Sequence, residues 1–132
     1  MTVGPVDRDA DTAEFFDAAA VGTFLLRRCP GGHYSEPAAA RCTTCGSADL
    51  LWAPAAGGAS LVSWAVAWGA AEPDAKTAAT VLVIGEFDEG PWWWSQLVDA
   101  DPAALSVGAR LAVDFARAAD GQEAVPIFRL ER

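Results

Sequence analysis

Lysine is almost absent from this chain of 132 residues, which carries nine basic side chains, a single lysine among them, against 18 acidic ones. The resulting net charge of −9 repels phosphate backbones and anionic membranes, and affinity for nucleic acids depends largely on cationic contacts. No run of residues approaches the roughly 20 apolar residues that a membrane-spanning helix needs. The composition therefore argues against a membrane protein and disfavours a protein that binds nucleic acid.

Cysteine and histidine are also scarce, with three cysteines and one histidine in the chain. The first residues, MTVGPVDRDADTAEFF, are acidic and lack the basic and apolar segments of a secretory signal. We therefore expect a cytoplasmic protein. An odd number of cysteines in such a protein argues against a disulfide framework and favours reduced thiols or a metal site.

The hydrophobic fraction of 52% is sufficient for a core, and its pattern is mainly β. A short helix is predicted with Asp11 as N-cap, Glu14 as the partner in a capping box, and Gly22 as the stop. Later come five or six short strands separated by Gly, Pro and Asp turns, and in the clearest of them Trp64 and Trp68 share a face that we expect to be core. A helical turn before the fifth barrel strand favours an OB-type β-barrel.

This pattern divides the chain into three segments. Residues 1–22 form an N-terminal tail and helix, residues 23–49 a small zinc-ribbon-like module, and residues 50–132 a five- to six-stranded OB-type barrel. The middle segment is rich in Gly and Pro and contains all three cysteines and the histidine.

The cysteines and the histidine form a candidate metal site. Cys42 and Cys45 are spaced as a C-x-x-C knuckle followed by glycine, and Cys29 precedes His33 by four residues. Three cysteines and one histidine are a standard ligand set for structural zinc, with no open position for a catalytic water. The alternatives are a degenerate ribbon that has lost its metal, and a redox C-x-x-C pair, which lacks the helix N-terminus that lowers a thiol pKa.

The order of these segments resembles a known family. The chain reads EFFDAAAVGTFLLRRC, then EPAAARCTTCGSADLLW, then EFDEGP within the barrel pattern, and finally VPIFRL. Over residues 12–130 it is similar to the rubredoxin-like zinc-ribbon plus OB-fold proteins that are encoded beside thiolases and thiolase-like aldolases.

The resemblance implies a non-catalytic accessory subunit in lipid or polyketide metabolism. Its partner would be a thiolase, an acyltransferase, a lipid-transfer-protein-like aldolase or a hydratase, and the two would share an acyl-CoA thioester. Cys29, Cys42 and Cys45 match three of the family's four metal positions. Gly32 stands in place of the fourth cysteine, which leaves His33 as the candidate for the remaining ligand of a structural zinc.

Two further groups of residues are candidates for binding. Arg27, Arg28 and Lys76 are cations that could meet a CoA phosphate, although a solvated role is the alternative for each. Exposed aromatic side chains are typical of protein interfaces, and packing in or over the barrel core is the alternative for them. The candidates for the partner interface are Trp92, Trp93, Phe15 and Phe16.

Independent catalysis is disfavoured because the single histidine lies inside the cysteine cluster and no phosphate-binding or dinucleotide motif is present. The alternative function is a stand-alone OB-fold module that binds single-stranded nucleic acid, for which the aromatics suit stacking but the charge does not. A third hypothesis is a CoA-thioester carrier without a partner.

Overall fold

The computed structural model describes residues 6–68 and 79–131, which form an N-terminal helix, a three-stranded sheet and a closed five-stranded barrel. In chain order the elements are α1 (Ala13–Ala19), β1 (Leu25–Arg28), β2 (Tyr34–Ser35), β3 (Leu51–Pro54), β4 (Gly58–Trp68), β5 (Ala79–Phe87), β6 (Trp92–Leu97), a 3-10 turn (Pro102–Ala104), β7 (Arg110–Arg117) and β8 (Ala124–Leu130). No helix among these residues is long and apolar enough to cross a bilayer.

Helix α1 is capped differently from the prediction. Thr12 is the N-cap residue, and the Asp9 carboxylate accepts hydrogen bonds from the amides of Asp11 and Thr12. The predicted Asp11–Glu14 capping box is wrong because the helix is capped one residue later, by Thr12, and the Asp11 amide that Glu14 would accept from already donates to Asp9. The predicted stop is confirmed: Gly22 has a φ of +83°, and the Thr23 amide donates back to the Ala18 carbonyl at 3.0 Å.

The barrel has the strand order β4-β5-β6-β8-β7, and β7 returns to pair with β4. The β6–β8 pair is parallel, whereas every other neighbouring pair in the barrel is antiparallel. The 3-10 turn lies between β6 and β7, with the Asp101 carboxylate accepting from the Ala103 amide at 2.9 Å. A mainly β fold with one N-terminal helix and an OB-type barrel is thereby confirmed.

Strand β3 belongs to the first sheet and not to the barrel. It pairs antiparallel with β1, which pairs on its other edge with β2. The segment boundary between residues 49 and 50 stays a prediction, although β3 lies beyond it and pairs with a strand before it.

One apolar core connects the helix, the small sheet and the barrel. The Phe24 ring packs on the Phe87 ring of the barrel at 4.6 Å and on Phe15 of α1 at 5.2 Å between ring centroids. Leu26 of β1 belongs to the same buried cluster as Phe128 of β8. The small sheet is therefore held against the barrel by side chains that alternate inward along β1.

Candidate functional site

The predicted metal ligands converge at the end of the small sheet. Their ligand atoms, from Cys29, His33, Cys42 and Cys45, all lie within 4.8 Å of one another. The Cys29 sulfur is 3.4 Å from His33 Nδ1 and 3.7 Å from the Cys45 sulfur. Cys29 and Cys42 are buried, whereas Cys45 and His33 reach the surface.

A tight turn brings His33 back to Cys29. The Gly32 amide donates to the Cys29 carbonyl at 2.9 Å, and the Cys29 amide donates to the His33 carbonyl at 3.0 Å. Gly32 has a φ of +86°, a left-handed conformation that costs glycine little and a residue with a β-carbon more. The glycine in place of the fourth cysteine therefore forms the turn that presents the histidine.

The second half of the cluster is a knuckle around Cys42. The amides of Thr44 and Cys45 each donate to the Cys42 sulfur at 3.4 Å. The Cys42 amide is itself held by the Ser47 carbonyl at 2.8 Å. These contacts fix the sulfur and direct two N–H dipoles at it.

The amide donors favour a thiolate at Cys42. The Cys45 amide, followed by the Thr44 amide, lowers the pKa of the Cys42 thiol from 9.0 to about 6. The pKa of Cys45 is raised: the Ser47 amide lowers it, but the sulfurs of Cys42 and Cys29 outweigh that effect. Neighbouring thiols resist ionising together because their thiolates repel each other. A bound cation removes this repulsion and stabilises the thiolates.

The geometry of the cluster fits structural zinc. Tetrahedral zinc with Zn–S bonds of about 2.3 Å places neighbouring sulfurs about 3.8 Å apart, close to the observed 3.7 Å between Cys29 and Cys45. The donor set of three sulfurs and one imidazole nitrogen is also one that zinc prefers. When bound, zinc would supply a cross-link, with four protein ligands and no position for substrate.

The aromatic residues expected at an interface differ in exposure. Phe15 is only 6% exposed and packs against Phe24, and Trp93 packs against both rings, at 5.9 and 5.0 Å between centroids. Phe16 is half-buried against the same core, whereas Trp92 is 52% exposed. Of these four side chains, Trp92 is the one largely available to a partner.

Large apolar side chains other than these four are also exposed, and two of them lie on the outer face of the barrel. Trp94 is 76% exposed and Leu82 is 50% exposed. Both point outward from the barrel because Trp93 and Val83, their neighbours in sequence, point into it. The alternation of the Trp92–Trp94 run was visible in the sequence, but not which of its faces the core would cover.

The two arginines expected to bind CoA make different contacts. The Arg27 guanidinium lies 3.5 Å over the Trp52 ring, and its Nε donates to the Pro37 carbonyl. Arg28 is exposed and lies 5.7 Å from the Tyr34 ring centroid. Lys76 lies outside the described residues.

No protein-family model and no curated protein matches the chain. A solved structure described as "Ltp2-ChsH2(DUF35) aldolase" contains a chain that is 27% identical, with a TM-score of 0.77, and the match covers 95% of this chain and 98% of that one. A DUF35 protein of unknown function from Sulfolobus solfataricus is 12% identical, with a TM-score of 0.63 and coverage of 92% and 86%. The second likeness concerns the fold alone.

Both similar structures are DUF35 proteins, and both matches extend over the helix, the small sheet and the barrel. The zinc-ribbon-like cysteine cluster is present in this chain as well. The resemblance to zinc-ribbon plus OB-fold proteins is therefore confirmed, and the solved structures that this chain resembles are members of the DUF35 family.

Proposed function

We propose that this chain is a non-catalytic accessory subunit of a thiolase-superfamily enzyme (a thiolase, an acyltransferase or a lipid-transfer-protein-like aldolase) or of a hydratase. The observation that carries the proposal is the likeness to a chain of the Ltp2-ChsH2(DUF35) aldolase, at 27% identity over 95% of this chain. Because that match includes the small sheet as well as the barrel, it concerns the whole described architecture and not a generic OB fold.

The chemistry of the cysteine cluster supports a structural role. The four ligand atoms lie within 4.8 Å of one another, so a metal that they all bind would have no position open to substrate. The single histidine of the chain is one of these four residues, so a bound metal would leave it unable to act as a general base. The reacting groups are accordingly assigned to the partner enzyme.

We propose further that the subunit helps to form the acyl-CoA binding site of its partner. Arg28 is exposed beside the metal cluster, with no ion-pair partner among the described residues, and is the candidate for a CoA phosphate. Arg27 is held over Trp52, so its guanidinium contributes mainly to packing in the free subunit. Lys76 stays a candidate on the sequence alone.

Calorimetric titration with CoA tests this proposal. The titration is run on the free subunit, on the isolated partner enzyme and on their complex. We expect the complex to bind CoA at least about tenfold more tightly than either component, since the site is completed by both. If the free subunit bound CoA as tightly as the complex does, the carrier hypothesis would be favoured instead. If the enzyme bound CoA equally well with and without the subunit, the subunit would have no part in CoA binding.

A further inference from the structure

The outer face of β4, β5 and β6 carries an apolar groove that takes no part in the core. It is lined chiefly by Ser63, Ala65, Leu82, Ile84 and Trp94, which we call the outer-face groove. Its two largest exposed side chains, Trp94 and Leu82, are 76% and 50% exposed. Contiguous exposed apolar side chains of this size are a feature of interaction surfaces.

The strand register makes these residues one surface. Ser63 lies opposite Ile84, which lies opposite Trp94, so these three form a row across the sheet. Ala65 lies opposite Leu82 in the next row on the same face. Small side chains on β4 thus leave a depression beside the indole of Trp94.

Charge is distributed unevenly around the outer-face groove. No residue lining it is charged, although the chain as a whole has a net charge of −9. At the Trp92 end, Glu86 lies opposite Trp92, and the adjoining cleft is lined by Glu36 and Glu89. No arginine or lysine among the described residues lines either cleft, although Arg28 lies beside Gly32 on the side of the adjoining cleft that faces the metal cluster.

We propose that the outer-face groove is the docking surface for the enzyme subunit, an inference that rests on the proposed function. The complementary surface of the enzyme is an apolar protrusion with arginine or lysine side chains beside it, which face the acidic Trp92 end of the groove. Interface centres are depleted in charge, and tryptophan is enriched among the residues that dominate binding energy. The acidic side chains at the Trp92 end orient the enzyme subunit on the groove, and Trp94 contributes most of the binding affinity.

The same observations disfavour two other occupants. Single-stranded nucleic acid would find an aromatic platform at Trp94 but acidic side chains where its phosphates need cations. A second copy of this chain would bring together two subunits of net charge −9 with the same acidic margins. A partner with a basic rim meets neither obstacle.

The test uses tagged full-length protein recovered from its native host, with the associated enzyme subunit identified by mass spectrometry. The variants are Trp94→Ser and Leu82→Ser, with Val107→Ser as the matched control because Val107 is 74% exposed in the turn before β7. We expect the affinity for the identified subunit to fall at least about tenfold for Trp94→Ser and measurably for Leu82→Ser, and to stay within about twofold for Val107→Ser. Equal thermal unfolding midpoints show that the exposed substitutions leave the fold intact.

The outcomes separate the docking surface from the proposed function. Recovery of the enzyme subunit by the wild type and equally by Trp94→Ser overturns the docking surface and leaves the proposed function standing. Recovery of no acyl-CoA enzyme by the wild type overturns the proposed function and the inference with it. A wild-type homodimer that Trp94→Ser converts to monomers, or binding of a (dT)12 oligonucleotide that Trp94→Ser abolishes, assigns the groove to a different occupant.

Discussion

His33 completes the metal cluster from a position that the spacing of zinc ribbons does not supply. It does so because Gly32 has a left-handed conformation and the chain returns to Cys29 through two backbone hydrogen bonds. The imidazole Nδ1 then lies 3.4 Å from the Cys29 sulfur. Gly32, which replaces a metal-binding cysteine of the similar family, therefore forms the turn that brings His33 to Cys29.

The metal content of a His33→Ala variant tests this residue. With three sulfur ligands left, we expect zinc retained after dialysis against a weak chelator to fall from about one per chain to well below half. His33→Cys should restore binding, because a sulfur at the same position replaces the nitrogen. Elemental analysis measures both variants, and equal zinc in the wild type and in His33→Ala would exclude His33 as a ligand.

Gly85 lies where the barrel interior has no room for a β-carbon. A β-carbon at this position would stand 2.9 Å from Phe128 Cζ and 3.3 Å from Leu111 Cδ1. We expect Gly85→Ala to destabilise the protein by about 1–3 kcal/mol, because the buried Phe128 ring has to move. Urea unfolding measures the change, with Ala65→Ser on the exposed face of β4 as the control. A Gly85→Ala variant as stable as the wild type would mean that the ring shifts without cost.

At the residue scale, the sequence could predict the cysteine–histidine cluster, but not which indoles of the Trp92–Trp94 run are exposed. The C-x-x-C-G knuckle has the spacing of one half of a zinc site, and Cys29 and His33 are close enough in sequence for one turn to bring them together. In the Trp92–Trp94 run the sequence shows only that successive side chains lie on opposite faces of the strand. Trp93 is the one that points inward because it packs on the rings of Phe15 and Phe24. Those contacts join residues that are far apart in the sequence.

Strands β7 and β8 are joined by an ion pair as well as by their backbone. Arg129 Nε donates to the Asp114 carboxylate at 2.7 Å, and the Phe115 amide donates to the same carboxyl group at 2.8 Å. The Arg129 hydrogen bond is the main reason that the pKa of Asp114 lies below its ordinary value of 3.8. Because the folded state favours the carboxylate, the pair stabilises the fold above that value and loses this effect as the pH falls through the depressed pKa.

Unfolding of Asp114→Asn at two pH values tests the ion pair. At pH 7 we expect the variant to be less stable by about 0.5 kcal/mol, a small value because both side chains are about half exposed. At about pH 2 the difference should shrink, because the wild-type carboxyl becomes protonated as well. Asp49→Asn, at an exposed carboxylate outside the ion pairs of the described residues, should show no such change. A difference that does not vary with pH would contradict an electrostatic origin.

We expect the small sheet to depend on a bound metal more than the barrel does. Strand β2 has only two residues, which pair with the end of β1. The loops that carry the metal ligands begin at these two short strands. The barrel strands are longer, and their ladder closes on itself. Short paired segments with few apolar contacts open at low free energy unless a cross-link holds them.

Removal of zinc by a strong chelator should accordingly act on one region. We expect amide hydrogen exchange to speed up at least about tenfold in residues 29–46, while β5 and β7 keep their protection. Mass-spectrometric exchange with and without the chelator measures this, and re-addition of zinc provides the control. Loss of protection throughout the barrel would show that the metal holds the whole fold.

At the scale of elements, the sequence predicted the barrel strands well and their partners less well. Alternation and turn residues located β4, β5, β6, β7 and β8 because each of them buries one face. Strand β3 lies at the start of the segment 50–132 that we predicted to be barrel, but it pairs with β1, which precedes the cysteine loops in the chain. A pattern within one strand does not identify the edge that it joins.

The whole molecule is a single packed unit with two contrasting surfaces. Its shared core fixes the small sheet, and with it the cysteine cluster, against the barrel. The described ion pairs of the barrel involve Arg110 of β7 and Arg129 of β8, whereas the outer-face groove on β4, β5 and β6 is uncharged. Such a surface suits a subunit that is oriented by charge and held by apolar contact.

Purification of the tagged chain from its native host, followed by native mass spectrometry and identification of every component, tests the accessory-subunit proposal most directly. We predict a stoichiometric complex with a thiolase-superfamily enzyme or a hydratase, stable through size-exclusion chromatography. The complex should carry about one zinc for each copy of this chain. Elution as a free chain of 13.8 kDa, or together with nucleic acid and no acyl-CoA enzyme, would contradict the account.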